Sequence, residues 1–178
     1  VAAQLNRPAD VAVGPDGSVY IADNFNGRVR RVAPDGIINT VVGGGSFPAG
    51  LDGVRATELN LGVAGLDVAP DGTIFVSAFV TNGNQYIYRV SSDGIAHLHA
   101  GLPHAYAAGN LLADNVPARH AEFDARGLAV GSDGAVYLSD NEYLTGNSSY
   151  HQVRRISPPL PGFDGDEILI PSTDASEV

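Results

Sequence analysis

Short apolar stretches, separated by turns rich in glycine and proline, run through the whole chain. Residues 28–32 alternate apolar and charged side chains, which is typical of a strand with one buried face. Residues 11–13 and 19–22 are brief apolar runs on either side of Asp16-Gly17, a pair that favours a tight hairpin turn. Helical periodicity is nearly absent. This pattern predicts an all-β chain built from short antiparallel strands.

The same strand-turn-strand pattern occurs three times along the chain. The turns lie at residues 16–17, 71–72 and 133–134, and a third and a fourth strand follow in each unit. Four antiparallel strands repeated in tandem are typical of the blades of a β-propeller, so we predict a partial propeller of three blades. The predicted boundaries are 1–45 for blade 1 with a connector over 46–58, 59–101 for blade 2 with a connector over 102–122, 123–170 for blade 3, and 171–178 for a C-terminal tail.

Positions beyond the turns also match between the units. Asp23 and Asp140 end the second strand of blades 1 and 3, and Ser77 is taken to occupy this place in blade 2. The connectors align over residues 1–6, 55–60 and 119–124. Arginines recur on the third strands, and we expect them to pair with acids of a neighbouring blade or to protect an exposed sheet edge. These arginines are Arg30, Arg31, Arg89, Arg154 and Arg155.

Blade 1 resembles the NHL repeat family almost position by position over residues 5–32, and the resemblance extends to about residue 157. Its glycine-rich connectors and Ser157-Pro158-Pro159 are most similar to the NHL propeller of teneurins and of bacterial Rhs or YD-repeat proteins. The absence of cysteine favours the bacterial branch. The resemblance implies a secreted or surface-displayed module that binds a protein or a glycan, or docks on a YD-repeat shell of its own polypeptide. We therefore expect a binding or assembly module rather than an enzyme, with no cofactor.

Charge and composition argue against several classes of partner. The formal net charge is −10 and the isoelectric point is about 4.6, so nucleic acids and anionic membrane surfaces are poor partners. No apolar stretch approaches the ~20 residues of a membrane-spanning helix, and we expect no membrane insertion. Without cysteine the chain forms no disulfide.

The variable segments all lie on one face of the predicted propeller, where the connectors and the loops between second and third strands meet. Binding residues favour loops on a rigid scaffold, so we expect a ligand on this loop face. Tolerated surface insertions would give the same pattern at little cost in stability. The segments are 46–58, 78–85, 102–122 and 141–151, and the candidate binding residues are Tyr106, Asp114, Arg119, Tyr143 and Tyr150.

Histidines in the same loops offer a different function. Three neutral imidazoles, from His104, His120 and His151, have the chemistry of an open zinc site. This alternative predicts a metal-dependent lyase or hydrolase with histidines at the mouth of the channel. No histidine recurs at a fixed blade position, so surface histidines are the simpler interpretation and no metal is predicted. His97 and His99 on the last strand of blade 2 are expected to be structural.

Three blades do not close a ring, because propellers have four to eight. An isolated set leaves one face of its first blade and one face of its last blade without a neighbour. We expect the chain to be a segment of a larger ring, for example one of six blades. The alternative is a homodimer, in which a second copy completes a six-bladed ring.

Overall fold

The computed structural model describes residues 3–80, 83, 85–101, 118–121, 123–144, 148–157 and 169–171, with the backbone alone for 120, 141–144, 148–151 and 169–171. Within these ranges the chain is all-β, as predicted, and its main sheets are antiparallel. Single turns of 3-10 helix occur at Asn24–Asn26, Ala56–Glu58 and Ala118–His120. The described residues contain no helix that is long and apolar enough to cross a membrane.

Sheet 1 is a meander of four strands, β1 (Pro8–Val13), β2 (Val19–Asp23), β3 (Arg28–Val32) and β4 (Ile38–Gly43). The chain turns between β1 and β2 because Gly17 adopts a φ of +78°, which other residues rarely take. Asp16 Oδ1 accepts a 3.0 Å hydrogen bond from Ser18 N across this turn. Equivalent carboxylate-to-backbone bonds close the other predicted Asp-Gly turns, at Asp35, Asp71, Asp93 and Asp133.

Sheet 2 has five strands rather than the predicted four. Its meander consists of β8 (Gly62–Val68), β9 (Ile74–Phe79), β10 (Gln85–Val90) and β11 (Ile95–Ala100). The fifth strand, β6 (Val54–Arg55), belongs to the segment assigned to the connector and pairs antiparallel with β11 at the outer edge. Elsewhere in this region β5 (Phe47–Pro48) pairs in parallel with β7 (Leu59–Asn60).

Sheet 3 again has four strands, β12 (Ala125–Val130), β13 (Val136–Leu144), β14 (Ser148–Ile156) and β15 (Leu169–Pro171). β13 and β14 are nine residues long, and their pairing continues as far as Leu144 and Ser148. The segment 141–151, which we predicted as a loop, therefore lies largely in an extended β-hairpin. Backbone pairing replaces a loop here because both sides of the insertion can continue the ladder.

Two hydrophobic cores hold the three sheets together. Each sheet has a leading face, directed at the preceding sheet, and a trailing face, directed at the following one. Core 1 joins the trailing face of sheet 1 to the leading face of sheet 2, and includes Tyr20, Ala22, Val29, Val42, Leu66, Val76, Tyr88 and Val90. Core 2 joins sheets 2 and 3 in the same way, and includes Phe75, Ile87, Ala100, Val136, Leu138 and Ile156. Each fully buried aliphatic side chain stabilises this packing by about 1.5–3 kcal/mol.

Buried aspartates tie sheets 1 and 3 to the chain that precedes them. Asp23 is 0% exposed and accepts a 2.7 Å hydrogen bond from Asn6 N and a 2.8 Å bond from Asn26 Nδ2. Asp140, 1% exposed, accepts a 2.9 Å bond from Asp124 N at the aligned position of its own connector. The match between these two units therefore extends to the hydrogen bonds that the strand-end aspartates make.

Ser77 does not take the place of these aspartates, contrary to our expectation. It stands as far beyond the aspartate of its Asp-Gly turn as Ala22 does in sheet 1, and Ala78 is the residue that corresponds to Asp23. Ser77 is buried and its hydroxyl donates a 2.7 Å hydrogen bond to Ala125 O. This bond joins sheet 2 to sheet 3.

Candidate functional site

The first strands of the three sheets, β1, β8 and β12, lie side by side and are joined by carboxylates. Asp10 Oδ2 on β1 accepts a 2.9 Å hydrogen bond from Leu66 N on β8, and Asp67 Oδ2 on β8 accepts a 2.8 Å bond from Val130 N on β12. The strands approach so closely that a Cβ on Gly65 would lie 2.8 Å from the carbonyl oxygen of Arg126. The three strands thus form one continuous wall.

The leading face of sheet 1 carries aliphatic side chains that no other sheet of the described residues covers. Val11 pairs with Ile21 across the sheet, and Val13, Val19, Val32 and Ile38 form a second row. Val11 is 62% exposed and Val13 is 67% exposed, while the other four are half-buried. We call this set the open face; it consists of Val11, Val13, Val19, Ile21, Val32 and Ile38. Contiguous exposed apolar surface of this kind marks an interaction site more often than a random surface does.

Most of the equivalent positions in sheets 2 and 3 are buried, and the others, Val68, Leu128 and Val130, are half-buried against the two cores. Ile21 corresponds to Val76 in sheet 2 and to Leu138 in sheet 3, and both of these are 0% exposed. The open face is therefore exposed because no sheet precedes it in the structure, and not because its sequence differs from that of the other units. The buried equivalents are Leu66, Ile74, Val76, Val90, Val136, Leu138 and Ile156.

The connector residue next to the open face follows the same rule. Leu5 aligns with Leu59 and Phe123, which pack into core 1 and core 2 and are 0% and 6% exposed. Leu5 is 40% exposed. Sheet 1 thus has the apolar residues that form a core in the other units, but it lacks a sheet packed against them.

The trailing face of sheet 3 is the second surface that no other sheet covers within the described part of the chain. Val153 on β14 is 51% exposed, whereas its equivalents Val29 and Ile87 are 0% exposed within the two cores. Tyr137 is half-buried, while the aromatic residues at its position in sheets 1 and 2 are buried. Within the chain, a trailing face packs on the leading face of the next sheet. The two open surfaces are therefore one face of each of these two kinds.

The structure describes the side chain of one of the five predicted binding residues, Arg119. Tyr106 and Asp114 lie outside the described residues. Tyr143 and Tyr150 belong to the extended hairpin of sheet 3, where the structure describes the backbone. Arg119 Nη1 lies 3.1 Å from Asp52 Oδ2, so its charge is engaged within the chain.

Asp52 gathers three segments of the chain at the outer edge of sheet 2. Its Oδ1 accepts a 2.9 Å hydrogen bond from Leu98 N and lies 3.3 Å from His97 Nδ1, and its Oδ2 contacts Arg119. Burial raises the pKa of Asp52, but the Leu98 N–H and the Arg119 charge outweigh it and hold that pKa below its usual range. The cluster fixes the connector between sheets 1 and 2 against sheet 2.

The histidines proposed for a metal site cannot be brought together from the described residues. His104 lies outside them, and His120 and His151 are described by their backbone. Within the described part of the chain, no three His, Asp or Glu side chains form a group that could hold a metal ion. The histidine site stays a prediction. His99 is 5% exposed and packs edge-on against Phe75, with ring centroids 5.1 Å apart.

Three arginines of the third strands each pair with an acid of their own sheet. Arg154 Nη1 lies 3.1 Å from Asp140 Oδ2 in a pair whose side chains are 1% and 0% exposed. Surface pairs with the Asp-Gly turns occur in sheets 1 and 3 at 2.7 and 2.9 Å, and they are Arg31–Asp16 and Arg155–Asp133. The expectation of pairing between blades is thus wrong for Arg31 and Arg155, because an acid of their own sheet lies within reach.

Comparison with known proteins identifies the repeat in sheet 1. The model of the family described as NHL repeat matches residues 5–32. The chain contains an NHL repeat. A curated relative, Teneurin-3 of Mus musculus, is 26% identical over 183 aligned residues, which cover 95% of this chain and 6% of that protein. This NHL-repeat chain therefore spans a small part of the relative that it matches.

Solved structures similar to the NHL-repeat chain are β-propellers. A gluconolactonase from Xanthomonas campestris matches with a TM-score of 0.58 and 20% identity, over 96% of this chain and 48% of that one. A streptogramin B lyase gives 0.54 and 14%, over 98% and 43%. The aldose sugar dehydrogenase of Streptomyces coelicolor gives 0.56 and 20%, over 94% and 51%. The chain thus spans about half the length of each.

These comparisons correct the prediction that the chain is not an enzyme. The similar structures are named as a lactonase, a lyase and a dehydrogenase, so the fold that it shares with them is one that carries catalysis. The prediction was based on the binding and assembly role of NHL propellers in teneurin-like proteins, and a role in one family does not determine the other functions of a fold. At identities of 14–20% the likeness itself establishes the fold alone.

Proposed function

We propose that the chain is an assembly module of a secreted or surface protein, in which its three sheets are three blades of a larger propeller. The open face of sheet 1 docks against a further sheet of the same, longer polypeptide. The observation that carries this proposal is the exposure of Val11, Val13 and Leu5, whose repeat equivalents are buried or half-buried against a core wherever a sheet precedes them.

The lengths of the similar proteins support a partner within the same polypeptide. The chain spans 48% of the lactonase and 51% of the dehydrogenase, so a ring of that size needs about as much again. In Teneurin-3 the matching stretch is 6% of a much longer protein, which leaves ample sequence for further repeats. A ring that closes on itself also removes the two exposed sheet faces from water.

The chemistry of the open face supports the same partner. It is aliphatic, and in the two existing cores such a face is covered by an aromatic and a branched aliphatic residue, as with Phe75 and Ile87 in core 2. A sheet of this repeat type presents that combination. Sheet 3 of the chain carries it too, in Tyr137 and Val153, so two isolated chains have complementary faces.

Sedimentation velocity over a range of concentrations tests the docking. We expect the isolated chain to associate as its concentration rises, and Val13→Asp to raise the dissociation constant at least about tenfold, because docking would bury an unpaired carboxylate. Val13 is 67% exposed, so the substitution leaves the fold intact. The matched control is Ile37→Asp, at a 57% exposed apolar residue in a turn outside the open face. A wild type that stays monomeric throughout, or equal effects of the two variants, would contradict the proposal.

The names of the similar structures support a second candidate function, a metal-dependent hydrolase or lyase that acts once the ring is complete. One of these structures is described as a gluconolactonase and another as a streptogramin B lyase. His104, His120 and His151 would hold the metal. The test is hydrolysis of a sugar lactone with Zn²⁺ or Ca²⁺ added, and its loss in the three histidine-to-alanine variants. Hydrolysis that survives all three substitutions would remove these histidines from the proposal.

A further inference from the structure

We propose that Arg30 and Asp23 form the charged lock of the open face: when a further sheet covers sheet 1, the Arg30 guanidinium closes on the Asp23 carboxylate. The inference rests on the docking function proposed above. It names the ionic element that decides which surfaces the open face accepts.

Sheet 3 contains the equivalent pair in its covered state. Arg154 lies opposite Leu138 in the register, as Arg30 lies opposite Ile21. The leading face of sheet 3, to which Arg154 belongs, is covered by sheet 2. Arg154 Nη1 is 3.1 Å from Asp140 Oδ2, and both side chains are almost completely buried. The same carboxylate oxygen accepts a 3.3 Å bond from Gln152 Nε2. A covered leading face therefore accommodates an arginine at this position when the strand-end aspartate forms an ion pair with it.

Sheet 1 holds the same two residues without the covering sheet. Asp23 is 0% exposed and fixed by Asn6 N and Asn26 Nδ2. Arg30 is half-buried between Ile21 and Thr40, and its Nε is buried without a hydrogen-bond partner among the described residues. The carboxylate is thus already in place, and the arginine has one buried donor, Nε, that makes no hydrogen bond within the described residues.

Burial makes the pairing necessary. A guanidinium that loses water without gaining a counter-charge is strongly disfavoured, whereas a hydrogen-bonded pair can be buried. Sheet 2 has a neutral residue, Tyr88, at this position; it is 0% exposed, and its hydroxyl accepts a 2.6 Å bond from Gly50 N and donates a 3.1 Å bond to Leu51 O. In both covered sheets the polar group at this position therefore makes hydrogen bonds.

The lock defines the partner surface. The face that covers Arg154 contributes Phe75, Ile87 and Ala100 to core 2, all of them uncharged. The sheet that docks on the open face must therefore be uncharged opposite Arg30, with an aromatic residue at the position of Phe75 and a branched aliphatic residue at that of Ile87. A surface with a lysine or an arginine there is rejected by charge repulsion.

Self-association of the isolated chain, measured by sedimentation velocity, tests the lock. We expect Asp23→Asn to raise the dissociation constant at least about tenfold, because asparagine keeps an acceptor for Asn6 N but has no charge, which leaves the Arg30 charge uncompensated on docking. Adding Arg30→Met to Asp23→Asn should restore association to within about threefold of wild type, since the charge to be buried is then gone. Circular dichroism checks that each variant is folded.

The matched controls separate this inference from the docking function. Arg31→Met and Asp16→Asn alter an exposed pair on the same strand and turn, and should leave association unchanged. If Asp23→Asn has no effect while Val13→Asp abolishes association, the lock is wrong and docking stands. If Asp23→Asn weakens association and Arg30→Met fails to rescue it, Asp23 acts through the fold of sheet 1, which overturns the lock. If Val13→Asp is also without effect, both proposals fail.

Discussion

Asp16 shows how much the turn residues contribute to each unit. Its carboxylate accepts hydrogen bonds from Ser18 N, Arg31 Nη2 and Ser18 Oγ, at 3.0, 2.7 and 2.9 Å. The Ser18 N–H, followed by Arg31, lowers the pKa of Asp16 from 3.8 to about 2. Because the folded-state pKa lies below the unfolded one, this stabilisation is fully present above pH 3.8 and is lost as the pH falls through about 2.

Replacing Asp16 by asparagine should make the stability of the chain less dependent on pH. At neutral pH the variant should unfold at a lower urea concentration than wild type, and the two midpoints should converge as the pH falls toward 2, where the wild-type carboxyl is protonated. Urea unfolding followed by circular dichroism at a series of pH values measures this. A difference that stays constant across the range would mean that the charge of Asp16 contributes nothing.

The Arg154–Asp140 pair lies at the other extreme of burial. Asp140→Ala should lower the free energy of unfolding by about 3–5 kcal/mol, because the buried Arg154 loses the carboxylate that it pairs with and Asp124 N loses its acceptor. Arg155→Ala is the control, since its partner Asp133 is largely exposed and surface pairs contribute little. Equal losses in chemical denaturation would show that burial does not set the strength of these pairs.

At the scale of the elements, the wall of first strands depends on carboxylates in place of side-chain packing. Asp10→Ala should lower the free energy of unfolding by about 1–3 kcal/mol and expose the Leu66 amide to hydrogen exchange. The Val130 amide, held in the same way by Asp67, is the internal control and should keep its protection. Asp10→Asn should lose less, because the amide oxygen still accepts a hydrogen bond. Unchanged exchange at Leu66 would refute this account.

The sequence predicts the elements well where a local signal specifies them. The Asp-Gly turns are read directly from the chain, because each aspartate acts on a backbone N–H two residues away. β6 is missed, because two residues with no periodicity gain strand geometry only by adding to the edge of β11. The extended hairpin is missed for the opposite reason, since polar residues such as Asn141 and Ser149 pair through their backbones.

At the scale of the whole molecule, the candidate site lay outside the loops on which the sequence prediction concentrated. A usable signal was present: Val19, Tyr20, Ile21 and Ala22 are apolar without alternation, which indicates a strand buried on both faces. The sequence cannot show which of three similar strands lacks its neighbour. Only the packing distinguishes Ile21 from its buried equivalents, because burial of a repeat depends on the sheet that precedes it.

Sheets that contact only their neighbours should also unfold as neighbours do. Leu138→Ala removes a 0% exposed side chain from core 2 and should cost about 2–5 kcal/mol. We expect hydrogen exchange to accelerate in sheet 3 while sheets 1 and 2 keep their protection, because core 1 is untouched. Val76→Ala, in core 1, is the matched variant and should release sheet 1 instead.

Sheet 2 is the decisive element in that experiment, because it alone among the described sheets has both faces covered. It should stay protected in both variants, held by whichever core remains intact. Equal loss of protection in all three sheets would show one cooperative unit, and would remove the basis for treating the sheets as separable blades. In a completed ring every sheet would have two covered faces, so the same substitutions in the longer polypeptide should no longer release a terminal sheet.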